Sequence, residues 1–236
     1  MDATIDYEPH VGQARQYVRD VLLGVNDGLV STILLVAGVV GGNLSADQVL
    51  LTGVAGAIAG AVSMAAGEYL ATRSQEQVFD REIALEMRHI EHFRDEEVAQ
   101  LRGYFTEIGL RPEDIEPAMD AFSHNDEALL NAMKVFEFGV VDSERRNPLV
   151  AMVTSGLLFF AGAIPAVAPF LFTDSAPTGL LWASILTAVA LFAVGLIKSR
   201  VTDENPLVAG AQNLLIAGVG GVAAYVVGAL FGTALS

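Results

Sequence analysis

Glu82, Glu86 and His89 follow one another at i, i+4 and i+7, and His92, Glu96 and Glu97 come directly after. On a helix this spacing gathers carboxylates and imidazole onto one side, where they suit a divalent metal. The apolar positions of the same stretch are Phe79, Ile83, Ile90, Phe93, Leu101 and Ile108. On one continuous helix, Glu86 and Glu97 fall inside that apolar face, and Glu82 and His89 lie on its border. A carboxylate within an apolar stripe needs a compensating partner, and a metal ion is one. Further along, Met133 and Glu137 stand at i, i+4 beside Leu129, Leu130 and Phe136. Glu137 is placed to close the site from across a helical bundle. Glu86-x-x-His89 also matches the ligand pair of di-iron bundles, which use two copies where this chain has one. Glu91, Glu113, Glu116 and Glu127 read as solvated surface residues.

A second constellation lies in apolar surroundings. Asp27 falls about nine residues into the first apolar stretch, which is roughly 13 Å at helical rise. An acid at that depth is costly and marks a pathway or relay. Asp20, Gly24, Asp27, Gly28, Ser31, Gly38 and Gly42 keep helical spacing, so the acid shares its stripe with small residues that allow close helix packing. The second apolar stretch carries Gly56, Gly60, Met64 and Glu68 four apart. Met64 lies roughly 12 Å from the end of that stretch, near the level of Asp27. A carboxylate and a thioether at one level suit a borderline transition metal better than magnesium or calcium. Glu68 lies one turn nearer the aqueous side and Asp20 near the mouth. These four residues form a ladder of ligands into the membrane.

The elements that must hold these residues follow from composition. Of 236 residues, 53% are hydrophobic and 17% charged, and the mean hydropathy is +0.48. Five stretches are long enough to span a bilayer, which takes roughly 20 apolar helical residues. They are Val18–Gly42, Val49–Ala71, Leu149–Phe172, Gly179–Ile197 and Leu207–Gly232. The loops Asn43–Gln48 and Thr173–Thr178 are short, so their flanking helices form antiparallel hairpins. Pro165 and Pro169 are expected to kink the third span. All 13 basic residues lie before span one, between spans two and three, or between spans four and five. That distribution places the N-terminus inside and the C-terminus outside. Residues 73–147 hold 18 acidic and 9 basic residues and three of the four histidines. There a long or broken helix over Ser74–Ile108 precedes two more, Glu113–Ser123 and Asp126–Val141, with Asn125 or Asp126 as N-cap.

The expected fold is all-α: a polytopic membrane protein with five transmembrane helices and a small cytosolic three-helix metal-binding domain between helices 2 and 3. Its parts are a cytosolic N-terminal segment (1–17), spans one and two (18–72), the acidic insert (73–147) and spans three to five (148–236). The acidic N-terminus has no apolar core and does not read as a signal peptide. The net charge of −15 argues against a nucleic-acid partner. With no cysteine there is no disulfide, thiolate site or cysteine nucleophile.

The stretches Arg19-Asp20-Val-Leu-Leu-Gly-Val-Asn26-Asp27-Gly28-Leu29 and Ala61-Val-Ser63-Met64-Ala-Ala-Gly67-Glu68-Tyr69-Leu70 resemble the vacuolar iron transporter family, which includes the yeast calcium-cross-complementer and plant nodulin-21-like proteins. Phe136-Glu137-Phe-Gly139 and the Ile164-Pro165…Pro169 segment match as well. The resemblance implies a homodimeric five-span transporter in the lipid bilayer. It would move Fe²⁺, and often Mn²⁺, out of the cytosol in exchange for protons, with no tightly bound cofactor. It implies that Asp27 and Met64 are intramembrane metal ligands and that Asp20 stands at the entrance. It implies that Met133 and Glu137 are ligands of the insert, with Glu82, Glu86, His89 and Glu97 as counterparts on its first helix. The chain departs from plant members at Gly56, Gln16 and Lys134, and Glu68 stands where they carry glycine. Glu68 fits the prokaryotic version, and the net charge with the Arg-rich, Lys-poor usage points to a prokaryotic cell membrane. Two other readings remain from the residues: a membrane-anchored ferroxidase, and a metal-sequestering or sensing protein without transport.

Overall fold

The computed structural model describes residues 14–139, 145–202 and 204–235. Among these residues every regular element is helical. The chain order is α1 (Ala14–Gly41), α2 (Ala46–His92), α3 (Arg94–Glu107), α4 (Pro112–Ser123), α5 (Asp126–Phe136), α6 (Pro148–Val167), α7 (Ala176–Thr202) and α8 (Pro206–Leu235). A 3-10 turn over Ala168–Leu171 follows α6. Five helices are long and apolar enough to cross a membrane: Arg19–Gly41, Ala46–His92, Pro148–Leu171, Ala176–Arg200 and Pro206–Ala234. Each contains or closely overlaps one of the five stretches expected from hydropathy. In a bilayer the helix satisfies every backbone N–H and C=O internally, so apolar runs rich in glycine and valine still form helices there.

The first thirteen residues of the expected N-terminal segment lie outside the described residues, as does Val141, the expected end of the third insert helix. The chain divides into two compact units, Met1–Tyr69 with Leu149–Ser236, and Leu70–Pro148. Helix α2 contributes to both.

In the first unit the helix ends are set by local chemistry. Ser45 and Gln48 form a reciprocal capping box at the start of α2: Gln48 Oε1 accepts from Ser45 N at 3.0 Å, and Ser45 Oγ accepts from Gln48 N at 3.4 Å. Asn43, at φ 65°, turns the chain out of α1. Asn205 caps α8 through Leu207 N at 3.0 Å, with Pro206 at the first helical position. Pro165 is accommodated within α6, while Pro169 sits in the 3-10 turn where the α-helix ends. Helix α1 packs against α7 and α8, and α7 against α8. One buried cluster joins Ile33, Val36 and Val40 to Val49, Ala166, Phe170 and Ala183. Glycine permits the closest approach of α1 to α6: a Cβ on Gly28 would land on the Phe159 carbonyl, and one on Gly162 on the Val25 carbonyl.

In the second unit α3, α4 and α5 pack on one another. Ile90, Leu101, Phe105, Ile115, Met119, Leu129 and Met133 form the core. Asn125 is the N-cap of α5, its side chain accepting from Ala128 N at 3.0 Å. Gly109, at φ 91°, ends α3, and Leu110 N reaches back to Phe105 O at 3.0 Å.

The long insert helix is broken, not continuous. Phe93, at φ −135° and ψ 37°, separates α2 from α3. Two expected core positions are overturned by this: Phe93 is 55% exposed and Ile108 58% exposed. Phe93 sits at the break itself and Ile108 just past the end of α3, so neither is held on a helical face, whereas Glu97 and Leu101 between them are buried as the stripe expects. The Arg94 guanidinium donates to Ser123 O at 2.6 Å and pairs with Asp126, tying the new helix to the α4–α5 turn.

Candidate metal sites

The insert brings its acidic residues together across the Phe93 break. Glu86 and His89 come from the last turns of α2 and Glu97 from the first turn of α3. One ligand atom from each lies within 4.8 Å of the others. His89 Nδ1 is 3.3 Å from Glu97 Oε1 and 3.9 Å from Glu86 Oε2. Glu86 is 2% exposed and Glu97 6%, and both oxygens Glu86 Oε1 and Glu97 Oε2 are buried without a hydrogen-bond partner. Two such carboxylates can share a dry site only with a proton or a cation between them. Burial first, then the charges of Glu97 and Glu137 and a hydrogen bond with Glu97, push the Glu86 carboxyl up to about 7.

Glu137 is the residue just after α5, and its N–H is bonded to Met133 O at 2.8 Å. Its carboxyl is also raised, by desolvation and then by Glu97, against the opposing pull of a Gln100 hydrogen bond and the His89 charge. Glu82 contributes a further, smaller repulsion. The five polar residues expected here therefore occupy one electrostatic neighbourhood. Met133 is different: it is fully buried in the apolar core of the insert.

In the membrane unit, Asp27 and Met64 line the same cavity. It measures about 330 Å³ and opens among α1, α2 and α6. Ser31, Thr32 and Ser63 add hydroxyls to its wall, and the missing side chain of Gly56 lets Leu35 pack onto the α2 backbone there. The Phe159 ring packs directly on Gly60. Ser31 Oγ donates to Asp27 O at 2.6 Å, so its lone pairs stay available to a ligand. Asp27 is exposed in the single chain. Asp20 and Glu68 do not line this cavity. Asp20 is buried, 3.4 Å from the Arg19 guanidinium, and Glu68 is half-buried. A larger cavity of about 440 Å³ among α1, α7 and α8 is mostly aliphatic, with Ser184, Thr187 and Tyr225 its only hydroxyls. It holds no group that would ligate a metal strongly.

The VIT family model matches residues 18–229, a span that contains both sites. The chain belongs to the VIT family. Among its relatives is the vacuolar iron transporter 1 of Tulipa gesneriana, 34% identical over 90% of this chain and 86% of that protein. The vacuolar iron transporter 2 of Oryza sativa subsp. japonica is 32% identical over the same shares of the two chains. The vacuolar iron transporter of Toxoplasma gondii is 30% identical over 94% of this chain and 77% of that one.

The cavity and the acidic cluster of this VIT-family chain also have neighbours that spacing alone did not reveal. Thr32 and Ser63 are hydroxyl residues within spans, each next to a residue already singled out, and that adjacency was the available signal. Gln100 lies three residues after Glu97 and is uncharged, so a search for carboxylates and imidazoles passes over it.

Proposed function

We propose that the protein carries ferrous iron, and Mn²⁺ with it, across a membrane in exchange for protons, exporting metal from the cytosol. The observation that carries the reading is the joint presence of Asp27 and Met64 in one cavity between three membrane helices. Oxygen and thioether donors together favour a borderline divalent ion over magnesium or calcium. The names of the tulip, rice and Toxoplasma relatives support iron as cargo and a transporter over an enzyme.

The insert acts as the capture site in this reading. Glu82, Glu86, His89, Glu97 and Glu137 take up cytosolic metal, with Met133 behind them, and pass it to Asp20 and Glu68 and then to Asp27 and Met64. Proton exchange follows from the chemistry of the ligands, because metal and proton compete for the same carboxylate oxygens. The exposure of Asp27 in a single chain supports a homodimer, since an acid at membrane depth faces protein or water. The basic-residue distribution supports a cytosolic N-terminus and insert, and the composition supports a prokaryotic plasma membrane.

Flux into proteoliposomes tests the proposal. Fe²⁺ or Mn²⁺ is added outside, a pH-sensitive dye is trapped inside, and vesicles whose insert faces outward are scored. Metal entry with proton exit is expected from the wild type, and Asp27→Ala abolishes both. Correctly oriented, folded protein that moves neither metal would overturn the transport reading and favour sequestration.

A further inference from the structure

We propose that Arg94 is a positioning residue for the insert cluster: it pins the start of α3 to the α4–α5 turn and so holds Glu97 against Glu86 and His89. The inference rests on the reading of that cluster as a metal site.

The helix break is what assembles the cluster. On one continuous helix Glu86 and Glu97 would share a face but stand roughly 16 Å apart along the axis, and His89 and Glu97 about 12 Å apart. In the structure His89 Nδ1 is 3.3 Å from Glu97 Oε1, and one ligand atom from each of the three residues lies within 4.8 Å of the others. Glu86 Oε1 and Glu97 Oε2 are buried there without a hydrogen-bond partner, a deficit that a cation would relieve. Whatever fixes the direction of α3 therefore fixes the donor set.

The backbone at the break does not do this alone. Phe93 N closes the last turn of α2 on His89 O at 2.6 Å, and Phe93 O accepts from Glu96 N and Glu97 N at 3.1 Å. Phe93 has no side-chain oxygen with which to cap α3. The core of Ile90, Leu101, Phe105 and Leu129 holds α3 in the bundle, but apolar burial is non-directional and sets the rotation of a helix only weakly. Arg94, the first residue of α3, supplies the direction. Its Nη1 donates to Ser123 O, the last carbonyl of α4, at 2.6 Å, and its Nη2 pairs with Asp126, which begins α5. One planar guanidinium thus joins three helix ends. The carbonyl contact is part-buried and satisfies an acceptor that the end of α4 leaves open, so it counts for more than the exposed pair with Asp126. Lysine would keep the charge but could not span both acceptors in fixed geometry. Glu97 stands one turn beyond Arg94 on the same short helix, so a roll or slide of α3 at Arg94 carries its carboxylate away from His89.

The test is a double-mutant cycle on the full-length protein in detergent. Asp27→Ala and Met64→Ala are present throughout, so that the membrane pair does not contribute. Co²⁺ is titrated and followed by its d–d absorption. Arg94→Lys is expected to weaken binding about tenfold, the usual scale for a residue that orients a ligand, and to alter the Co²⁺ spectrum. Asp126→Ala, which removes one of the two acceptors, should weaken binding less and in the same direction. With Glu97→Gln present, Arg94→Lys should cost nothing further and leave the spectrum unchanged. A purely structural role for Arg94 would weaken binding equally in both backgrounds. Equal losses, or no loss in the parent, would overturn the positioning role. A parent that binds no Co²⁺ removes the metal reading of the insert and this inference with it, and that outcome is distinct because it precedes any change at Arg94.

Discussion

In the proposed reading, Glu86 is where proton and metal compete most directly. Its carboxyl, ordinarily near 4.5, titrates at about 7 in the folded insert because burial and the neighbouring Glu97 and Glu137 disfavour its charge. The sign of the consequence follows from linkage. Between those two values the metal-free folded insert keeps a proton that the unfolded chain has released, so its stability falls as pH rises. The melting temperature of the metal-free insert should therefore decline from pH 5 to pH 7.5. Glu86→Gln should flatten that decline, as circular dichroism melts would show. Metal affinity runs the other way. It should rise with pH through about 7 in the wild type, since the proton must leave before the ion binds. A Co²⁺ titration at pH 6 and pH 8 measures it, and affinity independent of pH would contradict Glu86 as a ligand.

At the scale of elements, the helices are positioned by a few contacts with large local effects. Gly28 lets α6 lie against α1 beside Asp27, and a Cβ there would meet backbone with no freedom to move. Gly28→Ala should cost about 1–3 kcal/mol, the range for overpacking, and impair flux as well. Gly103, on the exposed side of α3, has nothing within 4 Å of a Cβ. Gly103→Ala should stabilise the insert by about 0.5–1 kcal/mol through helix propensity. Asn125→Ala removes the cap of α5 and should cost about 1 kcal/mol. Thermal melts of the three variants separate these mechanisms. Metal binding should survive Gly103→Ala intact.

At the scale of the molecule, orientation and copy number are open to direct measurement. The natural absence of cysteine makes single-cysteine probes clean. Leu44→Cys and Asp174→Cys lie in the two short loops of the membrane unit, and Thr106→Cys lies in the insert. A membrane-impermeant maleimide should label the first two on intact cells and the third only after permeabilisation. The reverse pattern would invert the direction of transport. Light scattering in detergent should give twice the 24.9 kDa chain mass after subtraction of the detergent. A monomeric mass would count against the homodimer.

Much of this architecture was legible in the residues themselves. A bilayer leaves an apolar run of span length almost no alternative to a helix, so the five spans could be read from hydropathy alone. The burial of Glu86 and the border position of Glu82 and His89 were legible for a related reason. All three precede the break at Phe93, and helical periodicity holds up to that point. A broken helix was one of two readings of this stretch, but the position of the break was not legible. No proline or glycine marks it, and Arg94 is drawn to Ser123 and Asp126, some thirty residues away. Contacts of that kind depend on how helices pack and leave no local pattern. The same limit explains Gln100 and Phe159, a neutral amide and an ordinary aromatic whose neighbours come from other helices. The sequence by itself therefore determined which residue types lie in apolar surroundings and which segments must be helical, because solvent transfer and backbone hydrogen bonding act locally. Only the tertiary structure decided that Glu86, His89 and Glu97 meet across a helix break, and that Asp27 and Met64 share one cavity, because proximity between separate helices is set by packing.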